Sequence, residues 1–247
     1  MKPPVIRIRD LRHAYGQGES RMEVLRGISG EFASGEITLL MGPSGAGKTT
    51  LLKLIAGLRT IQHGEVEIAG VDVVRASQKA LVALRRRIGF IFQSHHLIAS
   101  LNLEQNVMMP LSFMPGENGR SARKKARAML EHVGLAGHEF KRPSELSGGM
   151  KQRAAVARAL IHEPELILAD EPTASLDGAT GQSVVSLLAQ LAREQGTSII
   201  MVTHDPRITD IADTIYHIED GEMSPQPSEA ERGMLAEYQT PVPFGRD

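Results

Sequence analysis

The sequence predicts an α/β protein whose centre is a parallel sheet covered by helices. Three apolar runs in the second half of the chain, at 166–170, 198–203 and 214–218, have the length of buried strands. Helical patterns separate them, and an earlier apolar run at 37–41 is of the same kind. Strands that alternate with helices in this way indicate a parallel sheet with helices on its faces.

The first ninety residues read as short strands with one prominent helix. Apolar and polar residues alternate around 6–8 and 66–68, as they do in half-buried strands. The buried strand at 37–41 leads into a helix predicted at 48–56, and a further strand is predicted at 88–92. This region is therefore predicted to contain paired, half-buried strands and one strand–helix unit of the core.

The pattern becomes helical between about 97 and 160 and returns to strands afterwards. Asp220–Gly221 is typical of a hairpin turn. Residues 224–247 contain four prolines, which predicts a loose tail after a single domain at 1–223. There is no internal repeat in the sequence, so we expect one such domain in the chain.

Composition excludes several classes of protein. Hydrophobic residues make up 41% and charged residues 23%, which is ordinary for a globular domain. The net charge is -1, aromatic residues are 4% and tryptophan is absent, so we expect no nucleic-acid partner. Cysteine is also absent, which excludes disulfides, thiolate metal sites and cysteine nucleophiles.

The sequence has no segment typical of a signal peptide or a membrane span. The start alternates between apolar and charged residues, and the longest apolar runs are far shorter than the roughly twenty residues that a spanning helix needs. We therefore expect a soluble chain that reaches a membrane only through a partner.

The segment 42–49, Gly-Pro-Ser-Gly-Ala-Gly-Lys-Thr, matches the phosphate-binding pattern GxxxxGK[ST]. Its glycines allow consecutive backbone N–H groups to surround phosphate oxygens, and the following helix directs its positive end at the same place. Lys48 is predicted to reach the β- and γ-phosphates, and the Thr49 hydroxyl to take one Mg²⁺ position. A glycine-rich turn without function is the alternative, which the strand before and the helix after disfavour.

Two acidic residues, Asp170 and Glu171, follow directly on the apolar run at 166–170. One acid at the end of a strand can simply face solvent. Two acids at the ligand-binding edge of a parallel sheet suit Mg²⁺ binding and water activation. Asp170 is predicted to hold Mg²⁺, and Glu171 to orient and deprotonate the attacking water.

The motif Ser147-Gly148-Gly149 precedes a helix predicted at 151–160. A serine at this position can be only a helix cap. The start of a helix is also a site for anions, so the motif supports a second phosphate-binding segment.

Together these motifs resemble the ATP-binding cassette (ABC) transporter ATPases, from about residue 5 to residue 223. The resemblance implies a P-loop NTPase cassette with a parallel core sheet, an N-terminal antiparallel β part and a helical subdomain inserted at about 97–160. It implies hydrolysis of ATP, with Mg²⁺ as a cofactor, coupled to transport by a separate integral membrane permease.

The resemblance also implies roles for single residues. Tyr15 is similar to the aromatic residue that stacks on adenine, and Gln93 to the glutamine that joins Mg²⁺ and senses the transporter. Ser147-Gly148-Gly149 resembles the signature that binds the γ-phosphate of ATP held by the other subunit. The predicted nucleotide-binding residues are Tyr15, Gly42, Pro43, Ser44, Gly45, Ala46, Gly47, Lys48, Thr49, Thr50, Gln93, Ser147, Gly148, Gly149 and Asp177; Asp177 lies in the loop that couples the two sites. The predicted catalytic residues are Lys48, Glu171 and the γ-phosphate switch histidine His204, and the predicted metal ligands are Thr49, Gln93 and Asp170.

Connecting segments at 57–64, 90–98 and 102–107 resemble one branch of this family. That branch contains the lipoprotein-releasing (LolD-type), macrolide-exporting (MacB-type) and glycolipid-exporting (DevA-type) ATPases. It implies a homodimer that forms on ATP binding, a permease that works in tripartite exporters with a periplasmic adaptor, and export of a lipid, lipoprotein or hydrophobic small molecule. The expected location is cytoplasmic, on the inner face of the cell membrane.

The alternative function is that of a non-transport ABC ATPase in DNA repair or chromosome handling. Such proteins carry long coiled coils or zinc-binding cysteines between the phosphate loop and the signature, and this chain has neither signal between Lys48 and Ser147. A phosphate-loop kinase would leave the motif at 147–152 unexplained. The transport ATPase is therefore the favoured hypothesis.

The sequence departs from the family pattern at two places and has two further features that could be mistaken for sites. Met150 stands where a polar residue is usual, and Ala174-Ser175 reverses the commoner order. The adjacent pair His95-His96 is interpreted as no metal site, because neighbouring side chains on regular backbone point apart. The basic run at 120–127 is interpreted as a solvated helix face.

Overall fold

The computed structural model describes residues 3–225, in which strands form two sheets and helices cover them. The strand boundaries follow the apolar runs of the sequence, because each run buries its side chains against helices or the other sheet. The strands are β1 (Pro4–Tyr15), β2 (Met22–Ala33), β3 (Ile37–Met41), β4 (His63–Ile68), β5 (Val71–Asp72), β6 (Ile88–Ile91), β7 (Leu166–Asp170), β8 (Ser198–Val202), β9 (Thr214–Glu219) and β10 (Glu222–Pro225).

Five of the six α-helices in residues 3–225 begin at a polar side chain that accepts a backbone hydrogen bond from the first turn, and α1 begins after Gly47 without such a cap. Four of them have a serine, asparagine or aspartate as N-cap whose side chain accepts a backbone hydrogen bond from the first turn, and α4 has an asparagine that accepts two. The helices are α1 (Lys48–Ile55), α2 (Gln78–Arg85), α3 (Leu103–Met108), α4 (Gly119–His132), α5 (Gly148–Leu160) and α6 (Gly178–Gln195).

The core sheet has the order β10-β9-β3-β8-β7-β6, and all neighbours from β9 to β6 are parallel. Side chains alternate between its two faces. Leu39 and Ile167 belong to the cluster that packs against α5 and α6, while Leu40 and Leu168 face the cluster that contains α1. The predicted α/β fold with a parallel core sheet is confirmed.

A second sheet, β2-β1-β4-β5, is antiparallel throughout and lies on the α1 side of the core. Ile6 and Phe32 from this sheet are buried in one cluster with Leu51 and Leu54 of α1. The N-terminal antiparallel part is therefore present as predicted, and it encloses the helix that follows the phosphate loop.

Helices α3, α4 and α5 pack together on the far side of the core sheet, around Val107, Ala126 and Leu130. Residues 97–102, which fall inside the region predicted as helical, form no helix. The buried side chain of Asn106 instead bonds the backbone of Ile98, Leu101 and Asn102 and closes this segment into a turn.

Three boundaries differ from the sequence predictions. A second helix, α2, lies in the first ninety residues, where one was expected; it has only eight residues, and Leu84 is the one among them that is buried. Helix α5 begins at Gly148 and not at 151, because Ser147 caps it. Strand β10 extends through Pro225, so residues 224–225 belong to a strand and not to the tail; residues 226–247 lie outside the described part.

Candidate active site

Four parallel strands end at one edge of the core sheet, and each is followed by predicted site residues. The phosphate loop follows β3, Asp170 closes β7, and His204 lies two residues after β8. Gln93 lies two residues after β6 and is exposed. The carboxyl edge of a parallel sheet is where such folds bind ligands, so the topology gathers residues that are far apart in sequence.

The glycines of the phosphate loop are required by geometry. Gly42 has φ 137°, and a Cβ there would lie 2.0 Å from the carbonyl oxygen of Ile218. Gly47 has φ 99°, and its Cβ would lie 2.8 Å from the carbonyl oxygen of Val24. Both positions therefore admit only glycine without a shift of the backbone.

A small cavity of about 230 Å³ lies against this loop. It is bounded by the loop, by the start of α1 and by one of the two acids at the end of β7. Its lining residues are Val24, Ser44, Gly45, Gly47, Lys48, Thr49, Thr50 and Glu171.

Lys48 is folded back over the loop. Its Nζ donates hydrogen bonds to the carbonyl oxygens of Gly42 and Pro43, both at 2.7 Å, and the side chain is buried. Burial lowers the pKa of Lys48, and the nearby carboxylates of Glu171 and Asp170 oppose that shift. An ammonium group has three protons, so the two carbonyls fix its position and leave one proton for a ligand in the cavity.

Thr49 and Asp170 meet although 121 positions separate them in the chain. The Thr49 hydroxyl donates to Asp170 Oδ1 at 2.9 Å. Burial raises the pKa of Asp170, and the hydrogen bond from Thr49 opposes the shift. Two hard oxygen donors are thus held side by side at the cavity, an arrangement that suits Mg²⁺.

Glu171 has the left-handed conformation, with φ 46°, and its N–H donates to the carbonyl oxygen of Val202 at 3.0 Å. Such a conformation is rare for glutamate, and strained backbone conformations are frequent at functional sites. Its Oε1 lies 3.2 Å from Nδ1 of His204. The two predicted catalytic residues therefore contact each other beside the phosphate loop.

Tyr15, at the end of β1, contacts the first turn of α1. Its hydroxyl lies 3.2 Å from Thr50 Oγ1, and the Arg59 guanidinium carbon lies 4.7 Å from the centre of its ring. The ring of His13 meets it edge-on at 5.0 Å between centres. The tyrosine is thus held next to the phosphate-loop helix, and the stacking of adenine on it stays a prediction.

The signature residues occupy a different environment. Ser147 and Gly148 are exposed, and the Ser147 hydroxyl accepts a hydrogen bond from the N–H of Met150 at 3.3 Å as the cap of α5. Met150 itself packs against the hydrophobic core. Residues 147–149 do not line the 230 Å³ cavity, so their contact with a nucleotide stays a prediction.

Asp177 is exposed and caps α6, where its carboxylate accepts a hydrogen bond from the N–H of Thr180 at 3.0 Å. Bonds with Thr180 lower the pKa of Asp177. A capping role explains the residue within one chain, and its role in coupling two sites stays a prediction.

Sequence reasoning missed one contact near the site. Arg158, in the last turn of α5, donates hydrogen bonds to the carbonyl oxygens of His95 and His96, just after Gln93. An arginine within the run Ala-Val-Ala-Arg-Ala-Leu is the single sign of it in the sequence, since a charge in a buried helix needs a partner.

The family model described as "ABC transporter" matches residues 25–174, which is more than half of the chain. This chain belongs to the ABC transporter family. As an ABC cassette it binds ATP and is an ATPase, and the predicted P-loop cassette fold and family are confirmed.

Similar proteins with curated names support the predicted branch. The chain is 41% identical over 222 residues to the lipoprotein-releasing system ATP-binding protein LolD of Novosphingobium aromaticivorans, covering 90% of this chain and 99% of that protein. It is 43% identical over 224 residues to the macrolide export ATP-binding/permease protein MacB of Syntrophobacter fumaroxidans, covering 90% of this chain but only 31% of that one. Likeness to both LolD and MacB is confirmed.

A solved structure has the same fold. The dimeric post-hydrolysis state of the ATP-binding cassette MJ0796, bound to ADP and phosphate, superposes with a TM-score of 0.82 at 34% identity, over 90% of this chain and 99% of that one. Among residues 3–225 of the present chain, none of the helices has the length and apolar character to cross a membrane.

Proposed function

We propose that this chain is the ATP-hydrolysing subunit of an exporter and that it powers a separate membrane permease. The observation that supports this most is the joint position of Lys48, Asp170 and Glu171 at the carboxyl edge of the sheet, where Lys48 and Glu171 line one cavity and Asp170 accepts a hydrogen bond from Thr49 of its lining. The similarity to LolD, an ATP-binding protein of a lipoprotein-releasing system, supports the proposed role in export. The proposed unit is one ATPase domain at 1–223, with a helical subdomain inserted at about 97–160.

The roles of the catalytic groups follow from their contacts. The backbone of Gly42–Thr50 and the ammonium of Lys48 bind the phosphates, and the fixed ammonium stabilises the charge that develops on the γ-phosphoryl group. Glu171 orients and deprotonates the attacking water. His204, which contacts Glu171 Oε1, holds that carboxylate and the γ-phosphate in register.

Mg²⁺ fits the donors at the cavity. The Thr49 hydroxyl and the Asp170 carboxylate are adjacent oxygen donors, and the Gln93 amide at the end of the neighbouring strand region completes the proposed set. When bound, the ion neutralises charge on the β- and γ-phosphates.

A second copy of the chain is proposed to complete each site. The start of α5, at which Ser147 and Gly148 are exposed, offers N–H groups and a positive helix end to the γ-phosphate of ATP bound by the partner copy. Asp177 lies in the loop that couples the two sites. ATP binding closes this homodimer and hydrolysis reopens it, which gives two states that a permease can sense.

An apolar groove of about 560 Å³ is the proposed docking site for the permease. It lies between α2, β6 and the 3₁₀ turn Met109–Phe113, and its floor includes Phe92, one residue before Gln93. The ionisable residues of the lining are arginines and histidines, with no carboxylate among them. The groove therefore fits an apolar segment of the permease that carries an acidic group.

The permease holds the chain on the cytoplasmic face of the membrane. The proposed cargo is a lipid, lipoprotein or hydrophobic small molecule; the names of the similar proteins, lipoprotein-releasing and macrolide-exporting, support the last two classes. A periplasmic adaptor is proposed to join the complex.

Two exposed phenylalanines provide a matched test. Phe113 lines the groove and is 61% exposed, whereas Phe140 is 70% exposed and does not line it. Tagged chains carrying Phe113→Glu or Phe140→Glu are purified from detergent-solubilised membranes of the native cell. An integral membrane protein that stimulates ATPase activity should co-purify with wild type and Phe140→Glu and be lost from Phe113→Glu. Equal retention by both variants would contradict the groove, and absence of any such protein from wild type would contradict the permease.

A further inference from the structure

A buried guanidinium lies behind the catalytic edge of the sheet. Arg158 is 6% exposed, and its two terminal nitrogens donate hydrogen bonds of 2.6 Å to the carbonyl oxygens of His95 and His96. Burial lowers the pKa of Arg158. Among residues 3–225 it forms no salt bridge with a carboxylate, so backbone oxygens alone compensate a charge that is costly to remove from water.

The two carbonyls belong to a strained turn. His95 and His96 have φ values of 62° and 47°, a left-handed conformation that two successive non-glycine residues rarely adopt. The ring of His96 stacks on Phe92 with 4.5 Å between centres. Because Gln93 lies between Phe92 and this turn, the conformation that Arg158 holds sets the path of the backbone that carries Gln93.

The same turn contacts two other segments of the proposed site. Helix α5 has the signature serine, Ser147, as its N-cap and Arg158 in its last turn, so one rigid helix links both. Ser175 Oγ lies 3.3 Å from Nε2 of His95, in the loop between Glu171 and Asp177. The Gln93 loop, the signature helix and the loop after Glu171 therefore meet at the His95–His96 turn.

We propose that Arg158 is a positioning residue that fixes Gln93 against the signature helix, so that the Gln93 loop and α5 move as one unit. Arg158, Phe92 and His96 also line the 560 Å³ groove. A permease segment docked in the groove thus acts on Gln93 through the clamp formed by Arg158. This inference rests on the role of Gln93 in the proposed function and adds the residue through which Gln93 is held.

Arg153 is a matched control for this clamp. It lies on the same helix and also donates to a backbone carbonyl, that of Val133, at 3.0 Å, and to Ser183 Oγ at 3.1 Å, away from Gln93. Lysine in place of Arg158 keeps the charge but cannot hold two carbonyls in a fork. In the full-length chain we expect Arg158→Lys to lower ATP turnover roughly 10- to 100-fold, as for a misplaced catalytic group, while ATP affinity changes less than about 2-fold. Arg153→Lys should keep wild-type turnover.

A double-mutant cycle separates positioning from general destabilisation. If Arg158 acts through Gln93, adding Arg158→Lys to Gln93→Ala should lower turnover by less than about 2-fold further, because the shared effect is already lost. Losses that multiply would overturn the inference and leave the role of Gln93 standing. Full turnover of Gln93→Ala alone would instead contradict the proposed function, and with it this inference.

The turn itself gives a second test that leaves the buried arginine in place. Glycine adopts positive φ freely, whereas valine is strained there. Both substitutions at His96 remove the stack on Phe92, so their difference reports the backbone. We expect His96→Val to lower turnover toward the level of Arg158→Lys and His96→Gly to stay within about 3-fold of wild type. Equal turnover of the two variants would overturn the role of the turn, even if Arg158→Lys fails to fold.

Discussion

The two phosphate-binding regions of this chain differ in how completely they are built. At the phosphate loop, Lys48 is 6% and Asp170 8% exposed. Lys48 donates to two carbonyl oxygens of its own loop, and Asp170 accepts a hydrogen bond from Thr49, 121 positions away. At the signature, Ser147 and Gly148 are exposed, and the serine bonds only to its own helix. The first region is preorganised within one chain, whereas the second offers free N–H groups toward solvent.

This difference indicates how the work is divided. A preorganised group stabilises charge without reorganisation at the moment of reaction, so the phosphate-loop region has what hydrolysis needs. An exposed helix start acts on a phosphate only when one is brought to it. The substitutions below test whether the first region acts in catalysis and whether the second acts between chains.

The largest effect is expected at Lys48. Lys48→Ala removes the ammonium group that two carbonyls hold at the cavity, and with it the charge that meets the γ-phosphoryl group. Turnover should be abolished, because no other described residue that lines the cavity supplies that charge. Steady-state phosphate release is compared with that of Lys79→Ala, which removes an exposed lysine of α2 and should act as wild type. If Lys48→Ala kept more than half of wild-type turnover, the proposed catalytic role of Lys48 would be contradicted.

Glu171→Gln tests the acid beside it. The amide keeps the shape but cannot take the proton of water, so turnover should fall on the order of 10²- to 10⁴-fold while ATP still binds. Glu165, which precedes the same strand and pairs with Arg87, provides the control Glu165→Gln, with turnover near wild type. Loss of ATP binding in Glu171→Gln would mean that the carboxylate has a structural role only.

Tyr15→Ala is expected to act mainly on nucleotide affinity. If the ring stacks on adenine, its loss should weaken ATP binding by about 1–3 kcal/mol. Tyr15→Phe keeps the ring and removes only the hydroxyl contact with Thr50, so its affinity should stay close to wild type. Equilibrium binding of ATP decides between stacking and packing, because unchanged affinity in Tyr15→Ala would leave packing alone.

The smallest of the expected effects is a loss of stability at the two serine caps, Ser77 of α2 and Ser147 of α5. Each alanine substitution removes one capping bond and should lower the free energy of unfolding by about 1 kcal/mol. Only Ser147→Ala should also lower ATP turnover, since that serine is the one proposed to face a phosphate in the closed dimer. Equal turnover in the two variants would contradict the contact of Ser147 with a phosphate and leave it only the role of a helix cap.

The sequence predicted an element best where the residues that identify it are contiguous. The strand at 37–41 and the acids after 166–170 were predictable because a buried strand is a continuous apolar run and its ending is marked by polar residues. Helix α2 was not, because it lies on the surface and buries only Leu84. Eight residues are too few for apolar periodicity alone to identify a helix.

Contacts between distant segments were predictable only where a shared ligand implied them, as Mg²⁺ did for Thr49 and Asp170. Arg158 and His96 are 62 positions apart, and neither the arginine nor the histidine in the sequence indicates that the other is its partner. The left-handed backbone of Glu171 is likewise imposed by its bond to Val202 in the next strand, not by its own sequence preference. Residue types and order gave the chemistry of the site, and tertiary contacts give its geometry.

The central claim is that each active site is shared between two chains, with Ser44 of one copy opposite Ser147 of the other. The absence of native cysteine makes the claim directly testable. Ser44→Cys and Ser147→Cys are made separately in the Glu171→Gln background, shown to bind ATP, mixed with ATP and Mg²⁺, and oxidised. A disulfide needs Cα atoms within about 7 Å, so a short bifunctional thiol linker is used in parallel to span the nucleotide.

We expect a covalent heterodimer that forms only with ATP and only in the mixture of the two variants. A mixture of ATP-binding variants that stays monomeric under both oxidation and linker treatment would contradict the shared site.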